Sequence, residues 1–360
     1  TVPGGETSLA AGITDLFTER GLRVAGPSAA AARLESSKAF AKSFMHRHNI
    51  PTADFEVAES PDEARSILLS GRFGSADDPV VIKADGLAAG KGVTLAQNRA
   101  EALEAVYKLS KTDATGTRFV IEEALSGKEI SLIFFTDGQT YSLMPPVRDH
   151  KRLGDGDIGP NTGGMGAVTA PGLLSEAIRE EAIRLVIEPT LEGLQRDGTQ
   201  YRGVLYAGLM LTSDGIRVLE YNVRLGDPET QAQLVRLNTD LVGIYDAIIT
   251  GGLANIRVEW KDVASACVIL ASPGYPSGPI VGAQINGLKS EATRLPAVHI
   301  FHSGTALNEE GEFVTAGGRV LGVTSTGQTL EQALSRCYHV IEAISWEGIH
   351  YRHDIGRFVK

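Results

Sequence analysis

The stretch Val218-Leu219-Glu220-Tyr221-Asn222-Val223-Arg224-Leu225-Gly226-Asp227-Pro228-Glu229 holds side chains that suit a divalent cation and a phosphate. Read as a strand, it places Glu220 and Asn222 on one face, about 6.6 Å apart along the backbone. A carboxylate and an amide oxygen at that spacing can hold one hard cation, or flank a pair, with water and phosphate oxygens completing the shell. Arg224 follows on a loop, where a guanidinium can reach a transferring phosphoryl group. A half-buried strand with a polar outer face fits the same residues.

A second stretch, VVIKADGLAAGKGVTL from Val80 to Leu95, runs from apolar residues through Lys83 into Gly86, Gly90, Lys91 and Gly92, then back to apolar. It is not a Walker A loop, which needs four residues before its Gly-Lys pair and Ser or Thr after it. Here three residues separate Gly86 from Gly90, and Gly92 follows Lys91. Glycines still let backbone N–H groups approach an anion closely. A phosphate loop and a glycine-rich hairpin turn both fit. Lys83, on an inward strand position, needs an anion or a path to water. Lys38, at a helix start, is a second candidate for nucleotide phosphate, although a solvent-facing helical lysine is the commoner fate. Glu122-Glu123-Ala124-Leu125 ends a strand and Glu129 follows. Such an end can pair an adenine edge through its backbone and ribose hydroxyls through a carboxylate, or be a plain charged terminus.

Asp149-His150-Lys151-Arg152 and Gly159-Pro160-Asn161-Thr162-Gly163-Gly164-Met165-Gly166 form a third group. Backbone donors from Thr162 to Gly166 suit a phosphate or carboxylate, and Asp149 suits an amine. His150 reads as an ordinary hydrogen-bonding residue rather than a catalyst. No Ser-His-Asp or Cys-His arrangement and no Cys/His metal cluster is visible. The inventory serves phosphoryl transfer by positioning and charge, with no enzyme nucleophile.

These groups need elements to hold them. At 360 residues the chain is long enough for two to four domains. A net charge of −10 argues against a broad nucleic-acid surface, and no apolar run is long enough for a membrane span. Cys267 and Cys337 lie among apolar neighbours and read as reduced core residues of a cytoplasmic protein. A helix is expected from Leu9 to Arg20, then a short strand Leu22–Val24. Another helix spans Ser36 to Asn49. Ser60-Pro61-Asp62-Glu63 opens a helix as a capping box, and Asn98 caps a further one. Strands at Pro79–Ala84 and Phe119–Glu122 complete a small lobe around the glycine loop. Asp137-Gly138 and Asp214-Gly215 mark hairpins. Val204–Leu211, apolar on both faces, belongs in a sheet centre. Residues 148–167 are polar, glycine-rich and too long for a plain connector. Strands and turns after Trp260, then a helix over 330–344, predict a separate α+β domain.

The ordered set SKAFAKSF, VIKADGLAAGKGV, VIEE, DHKR, GPNTGGMGA, GVLYAGLM, LEYNVRLGDPETQ and GGRVLGVT resembles the glycinamide ribonucleotide synthetase family (phosphoribosylamine–glycine ligases) of the ATP-grasp superfamily. The resemblance covers essentially the whole chain. It implies an α/β fold with α+β parts: a remnant of an N-terminal pre-ATP-grasp domain at 1–35, an ATP-grasp domain at 36–260 with a mobile flap lobe at about 55–120, and a C-terminal α+β domain at 261–360. It also implies that ATP phosphorylates the glycine carboxylate and that the amine of 5-phosphoribosylamine attacks the acyl phosphate. On that pattern Glu220 and Asn222 bind Mg²⁺ or Mn²⁺. Lys38, Lys83 and the loop Gly86, Gly90, Lys91 and Gly92 grip ATP. Glu122, Glu123 and Leu125 meet adenine and Glu129 the ribose. Arg224 stabilises the transferred phosphoryl group. Asp149, Lys151, Thr162, Gly163, Gly164, Met165, Gly166 and Asp227 shape the glycine and ribosylamine end. The family begins with a strand and a GNGGREHA-like loop that this sequence lacks, a difference on the order of 60 residues, or roughly two βαβ units. Two rivals therefore stay open: another ATP-grasp carboxylate–amine ligase, or a non-catalytic ATP-binding fragment. Expected partners are small molecules only, with no nucleic acid and no membrane, for a monomer or weak homo-oligomer.

Overall fold

The computed structural model describes residues 1–87, 92–111 and 118–357, so Gly90 and Lys91 lie outside the described residues. The chain packs as two compact units. The first comprises Thr1–Met144, Ser175–Leu225 and Leu241–Arg257, and the second Pro145–Leu174, Gly226–Asp240 and Val258–Lys360. Residues 145–174 and 226–240, which a boundary at 260 leaves in the central domain, thus pack with the later residues.

The first unit holds two antiparallel four-stranded sheets. One contains β1 (Phe55–Ala58), β2 (Val80–Ala84), β3 (Val93–Ala96) and β4 (Phe119–Glu123) in the order β1-β4-β2-β3. Helices Pro61–Ser70 and Arg99–Leu109 cover it through Ala64, Leu68, Ala102 and Val106, which meet Ile82 and Ile121. Both helices start where the sequence signals them: Ser60 Oγ accepts the Glu63 N–H and Asn98 Oδ1 accepts the Glu101 N–H. This is the expected lobe around the glycine loop.

The other sheet places Gly215–Asn222 beside Gly203–Thr212, then β5 (Lys128–Thr136) and β6 (Tyr141–Leu143). Gly203–Thr212 is central, as its two apolar faces require, and Val204 to Met210 are buried. Its pairing with Gly215–Asn222 carries a bulge: Gly208 faces Glu220 while Leu209 faces Val218, leaving Leu219 as the extra residue. A bulge resets the side-chain alternation. Ile216 and Val218 are buried before it, and Tyr221 and Val223 after it. Glu220 and Asn222 consequently stand half-buried on the opposite side from Tyr221 and Val223.

Three local expectations change. The helix expected over Leu9–Arg20 is two helices, Glu6–Ala10 and Ile13–Glu19, because Gly12 at φ +84° breaks the α conformation. Leu22–Val24 forms no strand. Arg23 and the following Ala25 make two bonds with Thr1, Thr1 N to Arg23 O and Ala25 N to Thr1 O, too few for a ladder. The helix expected from Ser36 starts at Lys38, since Ser37 ends one helix (Ala29–Ser36) and caps the next (Lys38–Arg47).

The second unit is built on a five-stranded antiparallel sheet in the order Val298–His302, Arg319–Gly327, Ala264–Ala271, Gly166–Thr169, Arg148–Asp149. Helix Leu330–Ile341 seals one face, where Ala333, Cys337 and Val340 meet Val268, Leu270 and Val323. The polar stretch 148–167 is therefore ordered structure: it supplies two edge-side strands and a small hairpin, Arg152–Gly154 with Ile158–Asn161. Cys267 and Cys337 are free and buried, and burial pushes the Cys267 thiol up to about 12. No helix among the described residues is long and apolar enough to cross a membrane.

Candidate active site

In the first unit the cationic side chains gather behind the strand that carries Glu220. Lys38 opens its helix. Ser37 Oγ accepts the Phe40 N–H, and Asp85 accepts both the Ala39 N–H (3.1 Å) and the Ser37 hydroxyl. A carboxylate at a helix N-terminus satisfies orphan donors and meets the positive end of the dipole. Asp85 is the residue before Gly86, and Lys38 Nζ donates to Gly86 O at 2.7 Å. The start of the glycine loop is thus tied to this helix twice. Gly86 has φ +121°, where a side chain would be strained, and Gly92 O accepts the Ala84 N–H across the loop. Burial lowers the Lys38 pKa, with Lys83 adding to the effect and Glu220, Asp85 and Glu35 opposing it.

Lys83 is 7% exposed. The protein supplies the anion its position requires: Glu122 Oε1 lies 2.9 Å from Lys83 Nζ. The same ammonium donates to Leu219 O at 3.0 Å, the carbonyl of the bulge residue next to Glu220. Glu122 itself corrects a sequence expectation. It is 2% exposed, turned inward, with its second oxygen 2.9 Å from Lys42 Nζ. Its carboxylate is thus an internal counter-ion and not a nucleotide contact. Glu123 is exposed, and its N–H and carboxylate both bond Asp54, through Asp54 O and Asp54 N. Leu125 is half-buried, and Glu129 stands exposed at the start of β5.

Arg224 sits just beyond the strand, held by two carboxylates. Its Nε donates to Glu6 Oε2 at 2.9 Å, and its Nη2 pairs with Glu35 Oε1 at 2.9 Å. The other Glu35 oxygen accepts the Val223 N–H at 2.8 Å. Burial raises the Glu35 pKa to about 7 against the pull of Arg224 and the Val223 N–H, with Glu6 and Glu220 adding to the rise.

Glu220 and Asn222 offer one carboxylate and one amide oxygen, both hard donors on the same half-buried strand face. They fit a divalent cation of the Mg²⁺ or Mn²⁺ type that takes its other ligands from water and phosphate. Among the described residues, no group of three or more His, Cys, Asp or Glu side chains is gathered to hold a metal by itself. A two-ligand protein site shared with a polyphosphate matches that inventory.

In the second unit, Asp149 pairs with Ala167 across the sheet edge. The amide donors after Thr162 are engaged within the fold, which corrects the expectation of an open anion cradle there. The Thr162 N–H donates to Lys151 O, Gly163 N–H to the Tyr275 hydroxyl, Gly164 N–H to Thr162 Oγ1 and Met165 N–H to His150 O. Gly166 lies within a paired strand. The closure is tight: a Cβ on Gly164 would stand 2.5 Å from Pro228 Cδ and 2.7 Å from Asp149 Oδ1. Asp227 pairs with Arg319 Nη2 at 3.0 Å, and Arg319 Nη1 donates to Gly163 O at 2.7 Å. The polar groups this loop presents are therefore side chains: Asp149, Lys151, Asp227 and Arg319.

His150 is structural, as its sequence context suggests. It is 2% exposed, its Nε2 accepts the Gly356 N–H at 2.9 Å, and burial with Arg352 holds its pKa down to about 4. Around it, residues 350–356 strap the hairpin at 152–158. Arg352 is buried and pairs with Asp157 and Asp354. Asp354 accepts the Gly156 N–H, and Asp155 accepts the His353 N–H.

Sequence reasoning missed Glu6, Glu35, Lys42, Asp85, Arg319 and Arg352. Lys42 had a usable signal, because it falls four residues after Lys38 and so shares a helix face with it. Glu6 and Arg352 pair with Arg224 and Asp157, each about 200 residues away in sequence. No local pattern reports such pairs.

Comparison with known proteins bears on this geometry. A family model described as the ATP-grasp (A) domain of phosphoribosylglycinamide synthetase matches residues 36–230, and its C domain matches residues 265–358. The chain is 44% identical over 361 aligned residues to a phosphoribosylamine–glycine ligase of Rhodopirellula baltica, covering 99% of this chain and 82% of that protein. It is 46% identical to part of a trifunctional purine biosynthetic protein, adenosine-3, of Gallus gallus, covering 99% of this chain and 35% of that protein. Among solved structures, a phosphoribosylamine–glycine ligase from Thermotoga maritima superposes with a TM-score of 0.83 at 39% identity, over 95% of this chain and 84% of that one. A biotin carboxylase domain from Hydrogenobacter thermophilus, 18% identical, shares the fold with a TM-score of 0.71 over 94% of this chain and 72% of that chain.

Proposed function

The chain belongs to the phosphoribosylglycinamide synthetase family, and on that premise we propose that it joins glycine to 5-phosphoribosylamine with cleavage of ATP, giving glycinamide ribonucleotide in purine biosynthesis. The observation that carries this reading is the position of Lys83. Its ammonium lies 3.0 Å from the carbonyl of the residue before Glu220, so a phosphate cation and the hard-donor strand face share one short stretch of backbone. The 44–45% identity to proteins named phosphoribosylamine–glycine ligase disfavours both rivals, a different ATP-grasp ligase and a non-catalytic fragment.

In the proposed reaction a glycine carboxylate oxygen attacks the γ-phosphorus of ATP and ADP leaves. The ribosylamine nitrogen then attacks the glycyl carbonyl. The C–N bond forms, inorganic phosphate departs with the carboxylate oxygen, and the nitrogen gives up a proton. Lys38 and Lys83 bind and orient the phosphates from two elements, with Gly86 and Gly92 leaving room beside them for backbone donors. Glu220 and Asn222 would hold Mg²⁺ or Mn²⁺, which neutralises charge on the phosphate oxygens. Arg224 faces the transferred phosphoryl group. Glu123 and Leu125 backbone groups meet adenine, and Glu129 the ribose. Asp149, Lys151, Asp227 and the turn from Thr162 to Gly166 shape the glycine and amine end. The proposal keeps the module boundaries at 36 and 261 and places the enzyme in the cytoplasm with its pathway.

The test is to supply ATP, a divalent cation, glycine and 5-phosphoribosylamine and follow ADP. With hydroxylamine in place of the amine, glycyl hydroxamate is expected, since hydroxylamine captures an acyl phosphate. Glu220→Ala removes a hard donor from a half-exposed strand face and is expected to abolish turnover with the fold kept. Glycine-independent ADP release, or full activity in Glu220→Ala, refutes the reading.

A further inference from the structure

Lys42 is a buried lysine with no part in the reaction described above. It lies one helical turn beyond Lys38 and is 1% exposed, so it cannot itself touch a nucleotide. Among the described residues its Nζ meets two oxygens, Glu122 Oε2 at 2.9 Å and Thr52 Oγ1 at 2.7 Å, and stands over the Phe55 ring. Each oxygen leads to the bulge in the strand that carries Glu220. The Thr52 hydroxyl donates to Val218 O at 2.7 Å. Glu122 pairs with Lys83, which donates to Leu219 O at 3.0 Å. These two carbonyls lie at the register shift that puts Glu220 and Asn222 on the opposite side of the strand from Ile216 and Val218. Thr52 also forms a parallel bridge to Val218, so the segment is pinned at this level by backbone as well.

The charges make the arrangement more specific. A lone Lys83–Glu122 pair would be neutral, and its carboxylate would repel a polyphosphate approaching the ammonium. With Lys42 sharing the carboxylate, two ammoniums and one carboxylate leave one positive charge, and Lys42 is the member sealed from solvent. Taking an ammonium out of water is costly unless it is paired. Burial holds the Lys42 pKa down to about 8, with Glu122 opposing that effect.

We propose that Lys42 is a positioning residue for ATP: by holding Glu122 and, through Thr52, the Val218 carbonyl, it sets the stance and effective charge of Lys83 and fixes the bulge that presents Glu220 and Asn222. This rests on the reading that Lys83, Glu220 and Asn222 serve the nucleotide phosphates and their cation.

The test compares Lys42→Met, Lys42→Arg and the double variant Lys42→Met/Glu122→Gln in steady-state kinetics, with melting temperature recorded for each. Lys42→Met turns the whole Glu122 carboxylate onto Lys83. The KM for ATP is expected to rise tenfold or more, while the KM for glycine stays within twofold. Adding Glu122→Gln removes that carboxylate charge and is expected to recover the ATP KM at least threefold. A lysine that only supports the fold would lower the melting temperature in Lys42→Met and leave the ATP KM of the folded protein alone. That outcome, or a double variant no better than the single one, overturns the proposal. If Lys42→Met does not fold, Lys42→Arg decides: it keeps the charge but alters the geometry, and a wild-type ATP KM overturns the proposal while a rise of threefold or more supports it. Lys83→Met and Glu220→Ala separate the two ideas. If both leave ATP kinetics unchanged, the reading of the site fails, whatever Lys42 does.

Discussion

Replacing Glu35 by Gln should stabilise the first unit at alkaline pH and do little in acid. The carboxyl is buried against Arg224, the Val223 N–H and the field of Glu6 and Glu220, and its pKa rises from an ordinary 4.5 to about 7. The folded state thus prefers the protonated acid. The stability that protonation supplies is complete below about 4.5 and is lost as pH climbs through about 7. At ~1.4 kcal/mol for each pH unit, keeping Glu35 ionised at pH 8 costs about 3 kcal/mol, falling below about 1 kcal/mol at pH 5. That net rise already includes the opposing pull of Arg224, and Glu6 still pairs with Arg224 when Glu35 is neutralised. Glutamine mimics the protonated acid and still accepts the Val223 N–H. At roughly 2–4 °C per kcal/mol for a unit of this size, the variant should melt roughly 6–12 °C higher at pH 8, with the gap narrowing to a few degrees at pH 5. Scanning calorimetry of both proteins without divalent cation reads this directly. Both tryptophans, Trp260 and Trp346, belong to the second unit, so tryptophan fluorescence would follow the wrong part. A variant less stable at pH 8, or a gap that does not change with pH, refutes the burial argument.

Two further outcomes follow from packing. Gly164→Ala forces a Cβ to within 2.5 Å of Pro228 Cδ and 2.7 Å of Asp149 Oδ1 at φ +110°. It should destabilise the second unit by on the order of 2 kcal/mol and raise the KM for glycine at least tenfold. Unchanged glycine kinetics in a folded Gly164→Ala protein would detach this turn from substrate binding. Cys267 and Cys337 are both buried, and burial raises both thiol pKa values. An aromatic disulfide reagent should therefore label neither thiol in the native protein and both in denaturant; fast labelling of the native protein contradicts the packing of helix Leu330–Ile341.

The legible parts of this sequence were those written locally. Caps at Ser60 and Asn98, the hairpin turn at Asp214-Gly215 and the doubly apolar strand Val204–Leu211 depend on neighbours within a few residues, and each appears where expected. The face shared by Glu220 and Asn222 was also readable, because the bulge lies before both of them. What the strand period could not show is the bulge. In an unbroken strand Val218 would share their face, and the structure buries Val218 instead. Glu122 misled for a related reason. As a strand-end carboxylate it reads as surface, yet two lysines from other segments draw it inside. The amides of Thr162–Met165 looked available because sequence cannot count acceptors that arrive from Tyr275 or from a closing turn.

The strap formed by residues 350–356 has a consequence for synthesis. His353 and Asp155 are 198 residues apart, and so are Asp354 and Gly156. On the ribosome, at ~5–20 residues per second, the hairpin that follows Asp149 and Lys151 therefore emerges on the order of 10–40 s before the Arg352 guanidinium and the Asp354 carboxylate that clamp it. Until then it is a polar ribbon without its anchor, and a nascent chain stalled in that interval offers a protease a loose segment that the finished protein, though it leaves residues 155–161 exposed, holds fixed.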